Sequence, residues 1–263
     1  MTMTSFTVRV AMAAMGGLLI SPIAAIEATV ANAAEVKVLA SVALTSALNE
    51  LAPQFERTTG NKLTFGYSLV ADIRKRVLEG ETADVIILSR PVMDELEKQN
   101  KLAPGTIANV AGIAVALTAR AGAPKPDISS VDALKRSLIA AKSIVYADPA
   151  KGGLSGVYFA RVLDRLGIAE QMKPKTILVP GDQSADVVAK GEAEIGIAQT
   201  SEIVPVAGAQ LLGPLPGELG LVTIFSAGIG AGTKAQEAAT SLIRFLTGPT
   251  AAPVLKMKGM EPG

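Results

Sequence analysis

The chain contains neither histidine nor cysteine. The commonest general base, the thiolate nucleophile and the imidazole and thiolate metal ligands are therefore absent, and any chemistry rests on Asp, Glu, Lys, Arg, Tyr or Ser. What the sequence offers is a set of polar residues where strands end and helices begin. Ser41 closes an apolar run and either donates to an anion or caps its own turn. Ser68 follows Tyr67 at the end of a second run, where it donates to a ligand or caps the helix that starts at Val70. Arg90 follows DVIILS at a third; its guanidinium suits two-pronged contact with a carboxylate, or else it is a solvated surface arginine. Lys151 and Ser155 bracket two glycines in DPAKGGLSG ahead of a helix, a combination that suits anions although the order is not that of a P-loop. Ser155 is also a candidate cap of that helix, and both roles use the same helix end. Gln183 opens a further helix and Gln199 ends a strand, so their amides read a polar ligand's oxygens or face water. No metal or cofactor is expected.

These residues need a scaffold that brings strand ends and helix starts together. Residues 36–60 read as a strand (Val36, Val38, Leu39) that turns into an amphipathic helix, with Leu44, Leu48, Leu51 and Phe55 at spacings of three and four and Gly60 as stop. Such a junction leaves free N–H groups and the positive end of the helix dipole over the strand's carboxyl end. The pattern then predicts strands at 62–68, 84–89, 113–120, 144–147, 176–179, 195–198 and 221–229. Helices are predicted at 70–79, from Pro91 to Asn100, at 131–142 capped by Ser129 or Ser130, at 156–166, near 185–190 and at 236–247. The Pro- and Gly-rich stretch 204–220 reads as a connection and residues 249–263 as a tail. Apolar strands alternating with helices predict an α/β fold with a parallel sheet covered on both faces. Two lobes joined through 113–120 and 221–229 would hold a ligand cleft between their strand ends.

Ahead of the first strand, residues 1–33 read as a secretory signal peptide, with Arg9, an apolar run from Val10 to Ile26 and the small-residue site Ala31-Asn32-Ala33. The alternative is an uncleaved membrane anchor. Cleavage near Ala33 leaves about 230 residues, enough for one large or two modest α/β domains. With no cysteine to carry a lipid, the exported form is expected to be free of the membrane, in the periplasm. Lys and Arg number 25 against 24 Asp and Glu, and Phe and Tyr are the only aromatics, so there is no basic, aromatic-laced surface for nucleic acid.

VLASVALTSALNELAPQFERTTG, GETADVIILS, ADPAKGGLSGVYFARVLDRLGI, GEAEIGIAQTSE and RFLTGPTAAPVLKMKGMEP, in that order, resemble the type II periplasmic solute-binding proteins of the molybdate-binding family over nearly the whole mature chain. The resemblance implies two Rossmann-like lobes, the first made of 34–115 and 221–263 and the second of 116–220. It implies that they close on a small anionic ligand and hand it, as a monomer, to an ABC transporter permease. Molybdate-binding members carry a serine just before the Leu-Thr of the first helix, others in the loop before the second, and a tyrosine in the second lobe; here those places hold Ala43, the run Leu69-Val70-Ala71, and Gln199. Losing such donors leaves ligand oxygens unpaired at roughly 1 to 3 kcal/mol each. With Arg90 and Lys151 supplying charge, an organic carboxylate is favoured over molybdate. GAPKPDISSVDALKRSLIAAKSI, GPLPGELGLVTIFSAGI and the ending GMEP are similar to a branch distinct from the molybdate carriers, with which aconitate isomerase is associated. That implies an alternative, an isomerase interconverting cis- and trans-aconitate, whose base would be a carboxylate, Lys151 or a tyrosine.

Overall fold

β1 (Glu35–Ser41) is buried without a break from Val38 to Ser41, as a strand covered on both faces must be. It passes through a 3-10 turn, Val42–Leu44, into α1 (Thr45–Thr59), whose Ala47, Leu48, Leu51 and Phe55 form the buried face. Gly60 ends the helix at φ 76°, a left-handed conformation that glycine adopts without strain. The computed structural model describes residues 33–263. The expected signal peptide lies, but for Ala33, outside the described residues.

The strand-then-helix unit recurs as β2 (Lys62–Ser68), α2 (Val70–Leu78), β3 (Val85–Ser89) and α3 (Arg90–Lys98). β4 (Ala108–Arg120) begins before the expected Ile113 and is long enough to serve both halves of one sheet. A second series follows: α4 (Val131–Ala140), capped by Ser130; β5 (Ile144–Ala147); α5 (Leu154–Arg165); α6 (Ala169–Met172); β6 (Thr176–Val179); α7 (Ser184–Ala189); β7 (Ile195–Gln199); and α8 (Thr200–Ile203). The chain closes with β8 (Ala209–Pro214), β9 (Val222–Ile229), α9 (Gln236–Leu246), α10 (Ala252–Met257) and β10 (Glu261–Pro262).

The expectation of a parallel sheet is corrected by the strand pairing. β2, β1 and β3 run parallel, as do β6, β5 and β7. Between these trios β9 lies antiparallel to both β3 and β4, and β4 lies antiparallel to β7. The reason is connectivity, because the chain leaves the first trio along β4 and returns along β9. β4 gives its residues 108–114 to β9 and residues 115–118 to β7, so one strand belongs to both halves of the sheet.

Two main apolar cores result. One collects residues such as Leu39, Leu51, Phe55, Ile87, Ile113 and Phe225; the other collects Val115, Leu117, Leu134, Phe159, Leu163 and Ile197. They divide on β4, between Ile113 and Val115. Each side chain of this size adds roughly 1.5 to 3 kcal/mol when fully buried, so each side of β4 has a sizeable core of its own.

Candidate functional site

Five segments meet where the strands of both trios end. Ser41 ends β1 and Val42 follows it, Leu69 and Val70 follow β2, Gly153 to Ser155 follow β5, Gly181 follows β6, and Gln199 ends β7 with Glu202 in α8 after it. Together they line a tight cavity of about 10 Å³, room for roughly one water molecule as the residues stand. Ligands of open α/β sheets collect at such carboxyl ends.

The first turns of two well-formed helices supply donors. Neither α2, entered from Leu69, nor α5, entered from Gly153, has a side-chain cap, so the N–H groups of Val70, Leu154 and Ser155 have no partner from that source. Gly156 explains how closely α5 approaches: a Cβ there would lie 1.9 Å from the Ala147 carbonyl oxygen at the end of β5, so only glycine lets the helix begin so near the strand. Ser41 is buried, and its hydroxyl accepts weakly from the Ala43 N–H at 3.4 Å.

Gln199 is 2% exposed and stands in a reciprocal capping arrangement with Glu202. Its side-chain oxygen accepts from the Glu202 backbone N–H, while Glu202 Oε2 accepts the Gln199 backbone N–H at 3.0 Å. That commitment of the amide oxygen leaves the amide nitrogen as the free end, and Gln199 Nε2 is buried with no hydrogen-bond partner among the described residues. An orphaned donor in a polar cavity points to an acceptor that the protein does not itself supply. Glu202 retains some solvent exposure as a residue, yet its carboxyl is packed deeply enough that desolvation pushes its pKa up to about 8. The Gln199 N–H opposes that rise and the negative charge of Asp182 reinforces it.

Of the seven expected residues, three are brought together here: Ser41, Ser155 and Gln199. Four are not. Arg90 Nε donates to Asp94 Oδ1 at 2.7 Å and its Nη1 donates to Asn109 Oδ1 at 3.2 Å, so neighbours on α3 and β4 satisfy the guanidinium. Ser68 Oγ donates to Asp72 Oδ2 at 3.0 Å, a side-chain contact that does not cap α2, whose start has no side-chain cap. Lys151 is exposed in a 3-10 turn that Asp148 caps through the Ala150 N–H. Gln183 is exposed just before α7. Tyr67 stacks on Phe65 and donates to Asn49, and burial raises its pKa further from neutrality. Glu202 was the residue that sequence reasoning passed over. Its signal was the spacing Gln199-x-x-Glu202 immediately after a strand, a capping-box register with glutamine in the place of serine.

Among the described residues the cavity lining thus has no cationic side chain, and Glu202 is its one titratable group. Among the described residues no cluster of acidic side chains could hold a metal ion, and no helix is long and apolar enough to cross a membrane.

The family model for bacterial extracellular solute-binding proteins matches residues 36–261. The chain belongs to that family. As a solute-binding protein it is 32% identical over 231 residues to aconitate isomerase from Pseudomonas sp., covering 86% of this chain and 87% of that one. It is 30% identical over 241 residues to the molybdate-binding protein ModA of Azotobacter vinelandii, covering 88% and 92%. Among solved structures, the periplasmic molybdate-binding protein of Azotobacter vinelandii superposes with a TM-score of 0.71 at 19% identity, over 87% of this chain and 99% of that one. That likeness carries the fold alone.

Proposed function

We propose that this solute-binding protein captures one small carboxylate-bearing anion in the cavity formed by Ser41, Ser155, Gln199 and Glu202, and delivers it in the periplasm to an ABC transporter permease. The observation that carries the reading is the buried, unpartnered Gln199 Nε2 beside the uncapped starts of α2 and α5. These are neutral or dipolar donors aimed at an acceptor, a set that suits an anion in a water-poor site. The division of the chain into lobes of 34–115 with 221–263, and 116–220, accords with the separation of the two cores along β4. Arg90 and Lys151, from which the sequence argued for a carboxylate, no longer support that choice. It rests instead on the aconitate isomerase relative and on the apolar side chains of Ala43 and Val70 where molybdate carriers are expected to place hydroxyls.

A thermal-shift panel on residues 34–263 tests the reading, with citrate, both aconitate isomers, sulfate, molybdate and tungstate. A carboxylate at 100 times its dissociation constant should stabilise by about 2.7 kcal/mol. Stabilisation by molybdate and tungstate alone would replace the carboxylate with an oxyanion, and no shift with any of them would remove the capture reading.

A second reading is favoured by the identity to aconitate isomerase together with a carboxyl in the cavity whose pKa lies near neutrality. An isomerase would break one allylic C–H bond, let that electron pair form the new double bond, and return a proton at the far carbon of the old one. Proton NMR of trans-aconitate in deuterium oxide decides it: cis product with deuterium incorporated supports turnover, and unchanged spectra at high enzyme concentration exclude it.

A further inference from the structure

We propose that Glu202 is the proton-bearing donor of this cavity, giving its hydrogen to an oxygen of the bound anion and thereby linking capture to pH. The inference rests on the reading that the cavity holds an anion, and deepens it by naming the group that sets which anions fit.

The geometry is specific. Glu202 lines the cavity, and one of its oxygens is occupied by the Gln199 N–H at 3.0 Å. The same residue's backbone N–H is taken by the Gln199 side-chain oxygen, so the cap fixes both residues at once. What remains free is the Gln199 amide nitrogen, buried and unpartnered, and the rest of the Glu202 carboxyl. If that carboxyl were ionised, an anion on the helix starts would face a like charge with no cation lining the cavity to offset it. If it is protonated, it becomes a second neutral donor beside Gln199 Nε2.

The surroundings favour the protonated form. β7 (IGIAQ), β8 (AQLLGP) and the turn Val42–Leu44, all packed around α8, carry no acid or base. β4 contributes only Arg120, at its far end, where it pairs with Ala209. From the C-terminal segment, Lys258 is engaged with Glu50 at 2.8 Å. Desolvation opposes ionisation of Glu202, and among the described residues the one charge acting on it is Asp182, which is negative and acts in the same direction. A donor of this kind selects an anion whose oxygen accepts without bringing its own proton. Once Glu202 ionises at higher pH, the selection reverses toward a ligand that does bring one.

The test has two arms. Carbon-13 NMR of ligand-free protein labelled at the glutamate carboxyl carbons, titrated from about pH 4 to 10, should show one carboxyl titrating near 8 that is missing from Glu202→Gln. If every glutamate titrates below about pH 6, the proposal falls. Calorimetry with trans-aconitate and with sulfate between about pH 7 and 9.5 should show affinity falling about tenfold per pH unit above 8, with Glu202→Gln level over the same range. A flat wild-type profile, or a parallel fall in the variant, overturns it. Should neither probe bind at any pH, both the capture reading and this inference fail, and the carbon titration then tells whether Glu202 was nevertheless protonated.

Discussion

Glu202 also leaves a signature in stability, whatever the ligand. In the unfolded chain it loses its proton near the ordinary 4.5, and in the folded chain only near 8. Between those values the folded state binds more protons than the unfolded, so rising pH weakens folding; below the window both states are protonated and above it both are ionised. The slope is about 1.4 kcal/mol per pH unit inside the window for a single group. Glu81 has the opposite sign. Arg76 and Lys37 hold its pKa down to about 2, so its contribution is present above 4.5 and lost as pH falls; because that pair is largely exposed, the effect is small. Urea unfolding of wild type and Glu202→Gln at several pH values from 5 to 8.5 separates the Glu202 term from all others. We expect the variant to gain on the wild type steadily across the window, whereas parallel curves would mean the folded carboxyl ionises normally.

At the scale of elements, the helix starts decide what reaches the cavity. A Cβ at position 156 cannot coexist with the Ala147 carbonyl 1.9 Å away, so Gly156→Ala must lift the start of α5. We expect a loss of about 1 to 3 kcal/mol, as for overpacking elsewhere, together with weakened anion binding, measured by denaturant unfolding and calorimetry. Arg90→Ala should leave affinity within about threefold, because the guanidinium is held by Asp94 and Asn109 and does not line the cavity; a hundredfold loss would restore Arg90 to the site. These residues also show what was legible. Strand ends and helix starts are written in local periodicity and glycine stops, and so Ser41, Ser155 and Gln199 could be found. Where a long cation swings is settled by partners in three dimensions, although Asp94, four residues on from Arg90 in the same helix, was a local hint. β8 was hidden in a Gly- and Pro-rich stretch because it draws its order from pairing with β4 rather than from its own alternation. α10 was hidden by Pro253, which sits in the first turn where helices tolerate it.

For the molecule as a whole, the two cores meet along β4, and elements of both also come together beside the cavity. That second contact is narrow. Gly152, in the loop before α5, has φ 78°, and a Cβ there would come within 2.9 Å of the Ala71 Cβ in the first turn of α2. The sequence fragments 69–71 and 151–155, far apart in the chain, therefore lie side by side in the fold, and no local pattern could have announced it. Gly152→Ala should act twice. The left-handed backbone penalises any Cβ by roughly 1 to 2 kcal/mol, and the collision with Ala71 holds the halves apart. The first effect alone would lower stability without touching the ligand; the second lowers affinity, because donors on α2 and α5 can no longer reach the same anion. Small-angle scattering with and without the stabilising anion separates the two. The wild type should become more compact on binding and the variant should not, with its affinity reduced at least tenfold. If Gly152→Ala instead lost stability but kept both its compaction and its affinity, closure at this contact would have no part in capture, and the anion would be held by one half of the molecule alone.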